Sequence, residues 1–184
     1  MNFIDRSALS LTHSIRKHNS DAASETVLFY ALSLLINSAV SVLIVMTIST
    51  ITGKIADALL VILAYTILRI VSGGLHLRTS LACCLTSATI FLTAAHAAYE
   101  FAVIGVLLNT VAFILVLIYA PSDIKSVSRI DPKYYPMLKC VSALIVASNF
   151  YFQLPVLTTA FLIQALLTTP FMKKAVDYIE GRLY

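Results

Sequence analysis

The chain has 184 residues, of which 59% are hydrophobic and 12% charged, and a formal net charge of +4. Soluble domains carry about 45–50% apolar and about 25% charged residues, and a chain this small cannot hide such an excess from water. The composition excludes an ordinary soluble globule, a disordered chain and a soluble nucleic-acid binder; lipid must be the main solvent.

Residues 1–22 form the first expected unit. Ile4, Ala8, Leu11 and Ile15 share one helical face, with Arg6, Arg16, Lys17 and Asn19 on the other. This pattern predicts a basic amphipathic helix lying in the headgroup region, with His13 and His18 on its solvated side. A membrane span needs about 17–25 mostly apolar residues. Six stretches qualify, near 27–50, 55–71, 79–98, 101–120, 138–154 and 156–172. The last two are separated only by Leu154-Pro155 and read as a tight helical hairpin. The expected architecture is all-α and polytopic: a six-helix membrane domain over 23–175 and a C-terminal tail over 176–184.

Lysine and arginine placement orients the chain. Basic residues gather in alternate segments: Arg6, Arg16 and Lys17; Arg69 and Arg78; Lys125, Arg129, Lys133 and Lys139; and Lys173, Lys174 and Arg182. These are 12 of the 13 basic residues, and the remaining one, Lys54, stands beside Asp57. The rule predicts a cell-membrane protein with both termini in the cytoplasm. It also explains the positive charge through topology and anionic lipid, with no nucleic-acid partner.

The second cytoplasmic segment concentrates the chemistry. Gly73-Gly74 stand beside His76, two arginines and Cys83-Cys84, in a chain with little polar chemistry elsewhere. Ionisable groups at membrane depth are costly, which makes them functional candidates. Paired glycines let the backbone leave one helix and reverse. On one unbroken helix, His76 and Cys83 would share a face within about 20° but lie about 10.5 Å apart along the axis. That is too far for a thiol–imidazole hydrogen bond. If the pair works together, the next helix must begin near Thr79 or Ser80, with His76 folded back on the loop. An adjacent imidazolium favours the thiolate, and a helix N-terminus acts in the same direction. Cys84 would point about 80° further round, toward packing or lipid. From the residues alone, Arg69 serves equally as a carboxylate-binding group or as a headgroup anchor.

The run Arg69-x3-Gly73-Gly74-x-His76-x6-Cys83 resembles the signature of the accessory gene regulator B (AgrB) family, the integral-membrane cysteine endopeptidases of Gram-positive bacteria. Tyr119-Ala120-Pro121-Ser122-Asp123 is similar to that family's Tyr-Ala-Pro stretch entering a polar cytoplasmic loop. The resemblance implies cleavage of the C-terminal part of a short, AgrD-like quorum-sensing propeptide through an acyl-enzyme. An internal Cys or Ser of the peptide then closes a thiolactone or lactone ring. It also implies Cys83 as nucleophile and His76 as base.

The supporting candidates follow from position. Backbone N–H groups at the start of the third span, with the Thr79 and Ser80 hydroxyls, could stabilise an oxyanion. Ser87 lies on the Cys83 face, and Asp123 is a carboxylate that could orient His76. His96 and Cys140 read as packing residues. Neither a cofactor motif nor a metal-ligand set is present, since His76 and the cysteines offer too few ligands for zinc. A homodimer is compatible with the sequence. The competing reading is a small transporter or permease subunit, with Gly73-Gly74 as the break in a discontinuous helix.

Overall fold

The computed structural model describes residues 2–19, 21–75, 77, 79–123 and 130–183, and among these the fold is helical throughout. The helices are α1 (Phe3–His18), α2 (Glu25–Ile51), α3 (Ile55–Ser72) and α4 (Ser80–Ala95), then α5 (Val106–Tyr119), entered through one π-helical turn at Phe101–Gly105. A 3-10 turn (Pro132–Tyr134) leads into α6 (Tyr135–Phe152), followed by α7 (Pro155–Leu167) and α8 (Pro170–Leu183).

Local chemistry sets these boundaries. Asn2 and Asp5 cap the start of α1 reciprocally, and Arg16, Lys17 and His18 lie in its last turn, where positive charge complements the helix dipole. Thr79 Oγ1 accepts the Ala82 N–H and starts α4. Prolines occupy the first turns of α6 and α7, where the missing N–H costs nothing.

Helices cover all six apolar stretches, but not as six equal spans. Among the described residues, α2, α3 and the continuous Phe101–Tyr119 segment are long and apolar enough to cross a membrane, and α7 with α8 adds a fourth only if that bent pair is one span. The helix of Ser80–Ala95 is apolar but short. The stretch expected as one span over 156–172 is broken: α7 and α8 meet at 72°. Thr169 precedes Pro170, and a residue before proline is pushed out of helical conformation, a signal that hydropathy does not register.

The packing is that of a protein solvated by lipid. The buried face of α2 is Ser33, Asn37, Ser41, Val45 and Ser49, while Leu35 and Leu43 point outward. Small and polar residues let helices approach closely and hydrogen-bond across the interface; leucine gains nothing by leaving lipid. With these exposed apolar helices the chain is a multi-pass membrane protein. The centre is built from α3, α4 and α7, joined by Tyr65, Leu68, Phe91 and Phe161, with Tyr65 and Phe91 edge to face at 5.3 Å.

The N-terminal helix docks differently from its sequence pattern. Ile4, Ala8 and Thr12 are buried, whereas Leu11 and Ile15 stay 46% and 37% exposed. Thr12 tolerates burial because its hydroxyl donates to the Ala8 carbonyl at 2.8 Å. His13 Nε2 meets Glu25 at 2.8 Å, joining α1 to the start of α2.

The turn between α6 and α7 rests on one amide. Asn149 Oδ1 accepts the Leu154 N–H at 3.1 Å. Its Nδ2 faces Thr158 Oγ1 at 2.8 Å, the Leu154 carbonyl at 3.2 Å and Asn109 Oδ1 at 3.3 Å. Interhelical hydrogen bonds in membranes average about 0.6 kcal/mol each. Asn149→Leu is therefore expected to cost about 2 kcal/mol and lower the melting temperature by about 4–8 °C in detergent. An unchanged melting temperature would refute this reading of the turn.

Candidate functional site

The site begins where α3 stops. The Gly73 N–H closes the last turn on the Arg69 carbonyl, and the backbone then passes through φ values of +70° and +130° at Gly73 and Gly74. L-residues rarely adopt the second, and a Cβ at Gly74 would stand 3.2 Å from Arg69 Nη1. The chain leaving α5 pairs with this loop: Gly74 N–H donates to the Ser122 carbonyl at 3.0 Å, and Ser122 N–H to the Ser72 carbonyl at 2.9 Å. The Tyr-Ala-Pro stretch thus ends α5 and carries Asp123 to the paired glycines.

Gln164 of α7 clamps the loop from below. It is fully buried; its Nε2 donates to the Gly73 carbonyl at 2.7 Å and to Ser72 Oγ at 2.9 Å. Arg69 Nη1 donates to Gln164 Oε1 at 3.3 Å, and Nη2 donates to the Leu75 carbonyl. The guanidinium therefore turns inward and binds its own loop, in place of the headgroup anchor weighed from sequence. Its planar fork reaches an amide and a carbonyl at once, which a lysine could not do.

A cavity of about 570 Å³ opens above this clamp. Cys83, Arg69, Gly73, Gly74, Ser87 and Asp123 all line it, so six of the nine residues singled out in sequence share one space. Its remaining walls are mainly apolar, with Leu34 and Val42 from α2, Ile62 from α3 and Phe91 from α4. Such a volume and lining suit an apolar side chain with part of a peptide backbone.

Cys83 is half-buried in the first turn of α4, whose start at Ser80 agrees with the geometric requirement set out above. Cys84 is 1% exposed and turned into packing, where Ser41 Oγ donates to its carbonyl at 3.0 Å and contacts its sulfur at 3.3 Å. His76, the expected base, lies outside the described residues, as does Arg78.

Thr79 and Ser80 do not line the cavity. Thr79 Oγ1 is occupied as the helix cap, and the Ser80 hydroxyl donates to Asp5 of α1 at 2.8 Å. The Cys83 N–H is taken by the Thr79 carbonyl at 3.1 Å. Of the groups expected to serve an oxyanion, the Ala82 and Cys83 N–H groups and the Ser80 hydroxyl thus have partners within the protein. Asp123 pairs with Lys173 of α8 at 2.6 Å. Hydrogen bonding to that carboxylate, with its charge, holds the Lys173 ammonium above its usual range. The pair is solvent-accessible, so it orients the loop more than it stabilises the fold.

The residues that escaped the sequence reading include Asn37 and Tyr65 of the lining and Gln164 of the clamp. Asn37 and Gln164 were detectable as amides inside apolar stretches, a costly placement that points to a buried partner or a ligand. Among the other residues considered, His96 bonds Thr52 Oγ1 and the Leu92 carbonyl at the far end of α4. Cys140 is exposed, since α6 packs through Leu138, Ser142, Val146 and Asn149 on its opposite face.

No solved structure matches the chain significantly. An AgrB-like protein of Halalkalibacterium halodurans is 30% identical over 92 residues, covering 50% of this chain and 46% of that protein. The matched segment thus spans about half the length of this curated relative. The accessory gene regulator B family matches over residues 8–172, from α1 into the start of α8. On that match, this multi-pass membrane protein belongs to the accessory gene regulator B family.

Proposed function

We propose that this chain is a membrane-embedded cysteine endopeptidase that removes the C-terminal part of a short amphipathic propeptide. The observation that carries the reading is the position of Cys83, in the first turn of a capped helix and on the wall of an apolar cavity edged by Arg69 and Asp123. A helix N-terminus favours developing negative charge, which suits a thiolate. Family membership supports a role in accessory gene regulator quorum sensing, with an AgrD-like propeptide as substrate.

In this mechanism His76 takes the Cys83 proton, and the thiolate attacks the scissile carbonyl. The carbon–nitrogen bond breaks, the departing amine takes the proton from His76, and the N-terminal part remains as a thioester on Cys83. Water, or an internal thiol or hydroxyl of the peptide, then displaces the enzyme sulfur; the second route closes a thiolactone or lactone. Arg69 and Gln164 hold the Gly73-Gly74 loop against the cavity. The basic-residue pattern supports a site at the cytoplasmic face, with both termini on the same side.

The test is the protein in sealed vesicles with an amphipathic propeptide carrying an acidic C-terminal tail, followed by mass spectrometry. Release of the C-terminal fragment is expected, with Cys84→Ala retaining more than about a third of the rate. Translocation of uncut peptide with no fragment would replace the peptidase reading with the transporter reading.

A further inference from the structure

Asn37 is a polar residue that the fold buries at the cavity wall with its amide oxygen left unused. It is 5% exposed and lines the same space as Cys83, and among the described residues its Oδ1 has no hydrogen-bond partner. An amide oxygen without a partner is expensive inside a membrane protein. Of the donors that line the same cavity, Ser41 is committed to Cys84, and Arg69 to Leu75 and Gln164. The position along the helix also fits. Ser41 meets Cys84 and Thr52 meets His96, so α2 and α4 run parallel, and Asn37, one turn before Ser41, stands level with the start of α4.

The ligand that completes this site must bring an N–H donor and apolar surface together. A cation would face Arg69 across an apolar cavity whose carboxylate, Asp123, is already paired with Lys173, which disfavours it. A peptide backbone beside an apolar side chain has the required chemistry. We propose that Asn37 is a substrate-binding residue: its amide oxygen accepts a backbone N–H of the peptide, whose adjacent apolar side chain enters between Leu34, Val42, Ile62 and Phe91. Binding there brings the neighbouring carbonyl to Cys83. This inference rests on Cys83 as the reacting thiol, and extends that reading by assigning the group that grips the substrate.

The test uses two alkylating probes on the full chain in detergent, in a Cys140→Ser background, with the labelled residue mapped by mass spectrometry. One is N-acetyl-leucine chloromethyl ketone; the other is its ester analogue, in which oxygen replaces the N–H. In each, the Cys83 sulfur bonds to the methylene carbon, chloride leaves and the thiol proton passes to buffer. One hydrogen bond is expected to make the amide probe react about tenfold faster than the ester. Asn37→Leu should erase that preference while the N-ethylmaleimide rate at Cys83 stays within about twofold. Because the substitution removes an unpaired buried atom, the variant should melt no lower than its parent. If Asn37→Leu fails to fold, Asn37→Thr is the replacement to measure. No amide preference at Cys83 in the parent, or a preference that survives loss of Asn37, overturns the assignment. Failure of propeptide cleavage would instead remove the peptidase reading, while an Asn37-dependent preference would still establish a peptide-binding cavity.

Discussion

Cys83→Ala is expected to lower propeptide cleavage by at least about 10³-fold while leaving the protein folded in the membrane. The nucleophile contributes the covalent step itself, so no neighbouring group can replace it. Half-buried at the cavity wall, the Cys83 side chain makes no hydrogen bond between helices among the described residues, and its truncation removes only a sulfur. Cys84→Ala should behave in the opposite way. It empties a packed position beside Ser41 and is expected to cost stability, about 1–2 kcal/mol, with most activity retained. Fragment release and thermal melting of both variants separate the roles. Substantial cleavage by Cys83→Ala would contradict them.

Gln164→Leu is the second large effect. The amide meets three groups around one turn: the Gly73 carbonyl, the Ser72 hydroxyl and the Arg69 guanidinium. Leucine fills a similar volume but leaves the Gly73 carbonyl and the Ser72 hydroxyl without their donor, and the partly buried Arg69 guanidinium without its acceptor. The expected loss is about 3–5 kcal/mol of stability. The loop should also drift, and a displacement of about 1 Å at a reacting centre costs about 10²-fold in rate. Gln164→Glu gives a sharper comparison. It keeps an acceptor for Arg69 but removes both donors to the loop, so activity should remain low even where the variant is folded. Cleavage within about threefold of the parent for either variant, at a temperature where both are folded, would refute the clamp.

The sequence disclosed the helical segments and the polar loop because both rest on strong signals. Apolar runs of this length have few soluble alternatives, and Gly73-Gly74 beside an arginine and two cysteines stands out in so apolar a chain. The requirement that a helix begin near Thr79 or Ser80 came from the fixed rise of a helix, and α4 does begin there. What stayed hidden depended on inward-facing polarity. In lipid the core side of a helix need not be its apolar side, so the α2 stripe of Ser33, Asn37, Ser41 and Ser49 carried no hydropathy signal. Gln164 sits 90 residues or more from the groups it binds, which no local pattern reveals. In α1 likewise, Thr12 is buried with Ile4 and Ala8, a polar member of the inner face that the apolar pattern Ile4, Ala8, Leu11 and Ile15 did not include.

Intact-mass spectrometry on the protein mixed with a propeptide whose internal Cys or Ser has been replaced by Ala tests the central claim most directly. With ring closure blocked, only water can discharge the thioester, and the adduct should accumulate. The account predicts a mass increase equal to the acylated N-terminal fragment, reversed by hydroxylamine and mapped to Cys83. Fragment release without an adduct, or an adduct confined to Cys84 or Cys140, would contradict it.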